Sequence, residues 1–470
     1  MAVTGAITTG FRDENGVDLG RQLVEKDYLI SVYPNLIPNM KAPGLFAWGT
    51  GTSGQFGNNT ASFASSPTQV LIGSSVWKQV SGGYNHAAAI AIDGTLWAWG
   101  LGTSGQLGNG IAGHRSSPIQ TISFGTNWSV VSNSGDHVSC TKSDGTLWTW
   151  GLGTSGQLGD VTIVTKSSPV QAIVYAENWS SVANGKWHTA AIKTDGTLWL
   201  WGNNGYGRLG DNTITHRSSP IQTVAFGSNW SSAAGGNSHT AAIKMDGTLW
   251  LWGRNTEGQL GDNTITSKSS PVQVVGFANT WSKIACGWYH TAAIKTDGTI
   301  WTWGNNDSGR LGDNSTVYRS SPVQTVAFGT NWSSVACGYR HTGAIKTDGT
   351  LWTWGQNSYG NLGDNTIIHR SSPVQTVTGG TNWSSVACGY HYTIAIKTDG
   401  TLWTWGRNLF GALGDNTIIH RSSPVQVIGF ATNWSSVACG YKFTAATKTD
   451  GTLWLWGSNA YGNLGDNTII

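Results

Sequence analysis

A tryptophan–glycine pair recurs with its tryptophan at 48, 99, 150, 201, 252, 303, 354, 405 and 456, every interval being 51 residues without insertion or deletion. A fixed period of about 50 residues marks one supersecondary unit per copy, stacked on its neighbours because it cannot bury its apolar face alone. It also sets how sites are read, because a residue present in every copy is first of all part of the unit. The copies run from Leu45 to the C-terminus, and residues 1–44 form an N-terminal arm outside the repeat. Within the arm, Asp18–Tyr33 reads as a short helix with Asp18 as cap and Leu19, Leu23, Tyr28 and Leu29 on an apolar side. Pro34, Pro38 and Pro43 then extend the chain toward the first copy.

Each copy spells out its strands. Asp-Gly between two β-patterned runs is a strong hairpin signal, and it occurs at Asp93, Asp144, Asp195, Asp246, Asp297, Asp348, Asp399 and Asp450. In the seventh of these, Thr393–Lys397 and Thr401–Trp405 are the paired strands. Trp403 and Trp405 share one face there, and Leu402 and Thr404 the other. A third strand contains Pro-Val-Gln-Thr-Val and a fourth contains Trp-Ser-Ser-Val-Ala. No segment of the repeat keeps a helical period. Four short antiparallel strands per copy make a propeller blade, so the fold class is all-β. Trp99, Trp150, Trp201, Trp252, Trp303, Trp354, Trp405 and Trp456 are its structural signature, filling the space between blades. The competing role for these rings is a carbohydrate-stacking platform. The copies suit a ring of seven to eight four-stranded blades.

Bulk properties exclude some functions. The net charge is +3 and no Lys/Arg run exists, so nucleic acid is not an expected partner. No apolar stretch approaches the ~18 residues of a membrane span, so no insertion is expected. Met1–Phe11 lacks the basic and apolar regions of a secretory signal. Cys286, Cys337, Cys388 and Cys439 are spaced by the repeat, with Cys140 apart from the series. Equivalent points of neighbouring blades seldom bring Cα atoms within the ~7 Å a disulfide needs, so these are read as free, buried and small.

Recurrent polar residues have structural readings. A histidine stands at 86, 137, 188, 239, 290 and 341, replaced by Tyr392 and Phe443 in the last two copies. One imidazole per blade does not converge on a metal ion, and aromatic replacement points to packing or a hydrogen bond. The aspartates at 160, 211, 262, 313, 364, 415 and 466 belong to Asx-type turns, too few oxygens per loop for calcium. Arg115, Lys166, Arg217, Lys268, Arg319, Arg370 and Arg421 precede Ser-Ser-Pro six residues after the loop aspartate's position. They form either ion pairs within the loop or a partner-binding ring of seven positive charges. The lysines two residues before each Asp-Gly aspartate, Lys142 to Lys448, are a second such series. Glu14, Glu25, Asp136, Glu177 and Glu257 stand outside the repeat without visible partners. No nucleophile–base pair, phosphate loop or acid dyad appears, so no catalytic residue, metal or cofactor is expected, and the chain is not read as an enzyme.

The run Ala-Cys-Gly-x-x-His-Thr-x-x-Ile-Lys-x-Asp-Gly-Thr-Leu-Trp-x-Trp-Gly-x-Asn-x-x-Gly-x-Leu-Gly resembles the RCC1 (regulator of chromosome condensation) repeat across residues 45–470. The resemblance implies a β-propeller, usually of seven blades, and a binding role rather than one activity. The arm, with Asp-Leu-Gly, Lys-Asp-Tyr-Leu and Tyr-Pro-Asn-Leu, resembles RCC1-repeat proteins of bacteriophages. That implies a virion location and a rigid disc acting as spacer or receptor-binding appendage. Its partners would be other virion proteins, held through residues 1–44, a host receptor or glycan, and further copies of itself. The alternatives are a cytoplasmic regulator binding a GTPase or another protein, and a multivalent lectin.

Overall fold

The computed structural model describes residues 63–70, 76–122, 125–173, 178–224, 227–276, 279–326, 329–378, 380–461 and 463–464, with the short strands Gly5–Ala6 and Leu23–Val24. Those two strands pair antiparallel. Leu23–Val24 is therefore extended where the sequence suggested a helix. The rest of that segment, the first tryptophan–glycine pair and the 44/45 boundary lie outside the described residues.

Eight four-stranded antiparallel sheets form the propeller. The first runs Trp77–Gly82, His86–Ala91, Leu96–Gly100 and Arg115–Gln120. Six more follow at the repeat spacing. The eighth takes Trp434–Cys439, Phe443–Lys448 and Leu453–Ser458, and borrows its outer strand, Phe63–Gln69, from the front of the chain. Ring size is thus fixed at eight. The Trp99 indole N–H donates to the Asn463 carbonyl at 2.9 Å and Trp77 N to the Gly451 carbonyl at 2.7 Å, joining the eighth blade to the first. First strands of successive blades touch one another and surround the axis. The outer strand of the seventh blade contains Pro424-Val425-Gln426 of the expected run and spans Arg421–Gln426. Proline is tolerated there because an outer strand is an edge that need not donate on both sides.

The hairpins hold themselves. Gly196 N donates to Lys193 O at 2.9 Å, and Gly196 has φ +78°, which glycine adopts at little cost. The Asp195 carboxylate accepts from Thr197 N at 2.9 Å and Thr197 Oγ1 at 2.7 Å, and Thr197 Oγ1 accepts from the Trp199 indole at 2.9 Å.

Between blades the repeat is a lock. Leu198 and Leu200 of the third blade pack on Trp230 and Trp252 of the fourth, as their opposite strand faces require. Trp230 and Trp252 meet edge-to-face with centroids 6.2 Å apart. The Trp252 indole N–H donates to the Arg208 carbonyl of the preceding blade at 2.8 Å. Gly210 lies against the same ring, where a Cβ would come 2.9 Å from Trp252 Nε1. The histidines make a second cross-blade series. His137 Nε2 lies 3.0 Å from Thr189 Oγ1, and His188 Nε2 2.8 Å from Thr240 Oγ1, each threonine in the next blade. His86 has no such bond because the facing residue is Val138. Tyr392 substitutes by donating to the Phe443 carbonyl at 2.7 Å.

Candidate binding face

The meander sends different loops to the two faces of the disc. One face carries the Asp-Gly hairpins and the links between blades. The other carries the turn between first and second strands and the long loop between third and fourth. The Asp-Gly hairpins of the first face keep one sequence pattern. There a lysine sits over two indoles in seven blades, as Lys142 Nζ does 4.6 and 4.8 Å from the Trp128 and Trp148 ring centres.

On the opposite face the repeat breaks. The two residues between Cys-Gly (or its equivalent) and the buried His, Tyr or Phe are Tyr84-Asn85, Gly135-Asp136, Lys186-Trp187, Asn237-Ser238, Trp288-Tyr289, Tyr339-Arg340, Tyr390-His391 and Tyr441-Lys442. No pair occurs twice. The first member of each lines the axial mouth, where a cavity of about 250 Å³ opens.

Aromatic residues occupy a continuous arc from the fifth blade round to the first. Tyr339 and Tyr390 stack with centroids 4.3 Å apart, and Tyr84 and Tyr441 stack at 4.2 Å. Trp288 meets Tyr339 edge-on at 4.5 Å, and Tyr390 meets Tyr441 at 4.6 Å. Lys186 reaches across the gap in this arc, its Nζ 4.9 Å from the Trp288 ring centre and 6.0 Å from that of Tyr84. Beneath them lie Cys286, Cys337, Cys388 and Cys439, all free. Burial holds these thiols protonated, pushing Cys286 and Cys439 up to about 12, so they are unreactive wall.

Cations surround the mouth, several held by rings. Arg340 lies 4.9 Å from the Tyr339 ring centre, Arg407 5.3 Å from Tyr359, and Lys442 4.5 Å from Phe410. Arg254 lies 5.0 Å from Tyr289 and pairs with Glu257 at 2.8 Å. Two more cations are buried beneath this face. Arg208 and Arg310 are 3% and 1% exposed; Arg208 Nη1 donates to the Asn237 carbonyl at 3.5 Å, while Arg208 Nε and Arg310 Nε and Nη1 have no hydrogen-bond partner among the described residues. Burial lowers both to about 10, so both stay charged at neutral pH. A small crevice between Tyr390, Arg407, Phe410 and Lys442 also opens here.

A family model for the RCC1-like domain matches residues 166–469, and the RCC1 repeat model matches residues 44–90 and 93–141. The ultraviolet-B receptor UVR8 of Arabidopsis thaliana is 31% identical over 366 residues, which span 76% of this chain and 81% of that protein. The chain belongs to the RCC1 family. The mitochondrial RCC1 domain-containing protein RUG3 of the same plant is 29% identical over 71% of this chain and 82% of its own length. The fold is shared with human WBSCR16 (TM-score 0.60, 22% identity, 77% of this chain and 98% of that one). It is shared equally with Prp20p of Saccharomyces cerevisiae (TM-score 0.61, 19% identity, 81% and 92%).

The RCC1 signature tryptophans, Trp99 through Trp456, are fully buried, as a lock between blades requires and a sugar-stacking platform does not. The basic series opens the outer strands at the rim. Arg217, Arg319 and Arg370 each lie 2.7 Å from Asp211, Asp313 and Asp364, and Arg421 lies 2.6 Å from Asp415. Lys166 and Lys268 pair with Asp160 and Asp262 at 3.3 and 3.4 Å. Arg115 faces a loop with Asn109 where the others have aspartate. Burial pushes the Asp211 carboxyl up, but bonds from Thr213, Arg217 and Asn204 outweigh it and hold it below its ordinary value. Of the lone acids, Asp136 and Glu257 fall on the variable face, while Glu14, Glu25 and Glu177 lie outside the described residues. Burial raises Asp136, against a bond from Gln106 and the nearby Lys186 charge. The mouth residues themselves escaped sequence reasoning, which followed what recurs. Their signal was the reverse, a pair of adjacent positions that no two copies fill alike.

Proposed function

We propose that this RCC1 propeller is a non-enzymatic module that binds a protein partner on its variable face, centred on the axial mouth. The observation behind this reading is the break in the repeat: eight different residue pairs ring the mouth between strands that keep one pattern. Tyr, Trp and Arg concentrate there, the types that dominate binding energy in protein interfaces. The aliphatic rim of the long loops on the same face is also exposed, with Ile214 and Ile265 at 67% and 66%. Relatives fit a binding role: Prp20p is described with binding properties toward Gsp1p and histones. The test is affinity recovery from the native source with the full chain, a Tyr339→Ala/Tyr390→Ala variant and an Asp297→Ala hairpin variant. Partners lost with the mouth variant and kept with the hairpin variant are expected, and the reverse pattern sinks the reading.

A place on a virion, anchored through residues 1–44, is a second proposal resting on the sequence of the arm. Light scattering of the whole chain and of one starting at Gly44 tests it. An assembly that falls to a monomer on truncation supports it, and two monomers dismiss it.

A further inference from the structure

The chemistry of the mouth narrows the partner. Seven cationic side chains surround it (Lys186, Arg208, Arg254, Arg310, Arg340, Arg407 and Lys442) against three acids (Asp136, Glu257 and Asp307), an excess of four. The hairpin face is close to balance, its eight aspartates facing seven lysines two residues earlier. The excess is also left uncompensated. Lys186, Arg340, Arg407 and Lys442 contact aromatic faces and form no ion pair with any described acid. A ring holds a cation in place without consuming its N–H donors, so apart from Arg340 Nη2, which donates to the Tyr339 hydroxyl at 3.4 Å, those donors remain for an incoming anion. Under them, Arg310 is anchored only by a 3.9 Å approach to Asp307 and keeps Nε and Nη1 unbonded. An incompletely neutralised charge in a low-dielectric site projects a positive potential toward the mouth.

Resting on the binding reading above, we propose that the mouth takes an acidic segment of a protein partner. Aspartate or glutamate carboxylates meet Lys186, Arg340, Arg407 and Lys442, while an apolar side chain of the same segment enters the axial cavity. A second copy of this chain is disfavoured as occupant, because two such faces would meet with like charge. A nucleic-acid strand fits less well. Its phosphates need a continuous basic track, and its bases need free ring faces. Here the cations are arranged around a ring with Asp136, Glu257 and Asp307 among them, and the tyrosines are stacked on one another.

The experiment uses the full chain and three fluorescent probes: a short Glu/Phe peptide, the matching Lys/Phe peptide and a single-stranded oligonucleotide. Anisotropy titrations are run with the parent, Lys186→Gln/Arg340→Gln, and Tyr339→Ala/Tyr390→Ala. Denaturation midpoints establish that each variant is folded. The Glu/Phe peptide is expected to bind tightest, to weaken with salt, and to lose roughly tenfold in affinity with the Lys186→Gln/Arg340→Gln variant. Tighter binding of the oligonucleotide, no binding of the Glu/Phe peptide, or indifference to that variant overturns the proposal. If both peptides bind equally and only the tyrosine variant abolishes binding, the face is right and its acidic preference wrong. If binding survives both variants, the face itself is wrong.

Discussion

The two faces of the disc come from the same repeat and differ in what their side chains meet. On the hairpin face, Asp195, Thr197 and Trp199 bond one another, and the neighbouring blade sees the same geometry at every step. A change there disturbs two blades, so the copies agree. At the mouth, the first residue of each turn projects toward the axis, where it meets its counterparts and solvent. The eight copies place five different residue types there, and no two share the same pair. The comparison teaches that in a near-perfect repeat, constancy reports packing and departure reports use.

The buried half of this contrast has the largest expected effect, seen on acidification. Burial lowers the imidazoles of His86 and His239 to about 4 and those of His137 and His341 to about 3, and puts His188 and His290 well below their ordinary value. The unfolded chain, with imidazoles near the ordinary ~6.5, binds more protons below that pH. Stability is therefore full above about pH 6.5 and is lost as pH falls toward 4, at roughly 1.4 kcal/mol per pH unit per histidine. Urea midpoints measured from pH 7.5 to 4.5 should drop steeply below 6.5. A flat profile down to pH 5 would show that these rings are not buried neutral.

Two tryptophans of one blade sharpen the comparison. Trp303→Ala removes a fully buried ring and should cost about 3–5 kcal/mol. Trp288→Ala, at the half-buried mouth, should cost about 1 kcal/mol while weakening partner binding. Equal losses of stability would erase the distinction between lock and mouth. Glycine gives a finer contrast. Gly210→Ala faces φ +68° and the Trp252 ring at 2.9 Å, and should cost about 1–3 kcal/mol. Gly429→Ala, at φ +94° with nothing within 4 Å, should cost about 1 kcal/mol from backbone strain alone. Thermal melts of the pair compare them directly. Smallest is the rim: Arg370→Gln breaks an ion pair whose arginine side chain is 36% exposed, and should cost at most about 1 kcal/mol. A loss of partner binding with Arg370→Gln would instead move the interface outward to the basic ring.

The fold was legible because its information is periodic. Asp-Gly set the hairpins, and the i, i+2 tryptophans set the face that locks on the previous blade. Blade count was not, because closure depends on Phe63–Gln69 pairing with Leu453–Ser458 across nearly the whole chain, which no local pattern announces. The outer strand was found through Pro424-Val425-Gln426, but its start at Arg421 was not, because Arg-Ser-Ser carries no β pattern of its own. The site was legible only in part. Asp136 and Glu257 stood out as lone acids, but Lys186, Trp288, Tyr339 and Tyr390 become a group only once the ring brings non-adjacent copies to one axis.

Closure by a strand from the first copy of the array also bears on how such genes change. A crossover between two copies would delete or add 51 residues, one whole blade, in register. The closing strand lies outside the exchanged segment and would still meet the last hairpin. Ring size and the composition of the mouth can therefore shift in one event, giving the lineage a new binding surface without a new core.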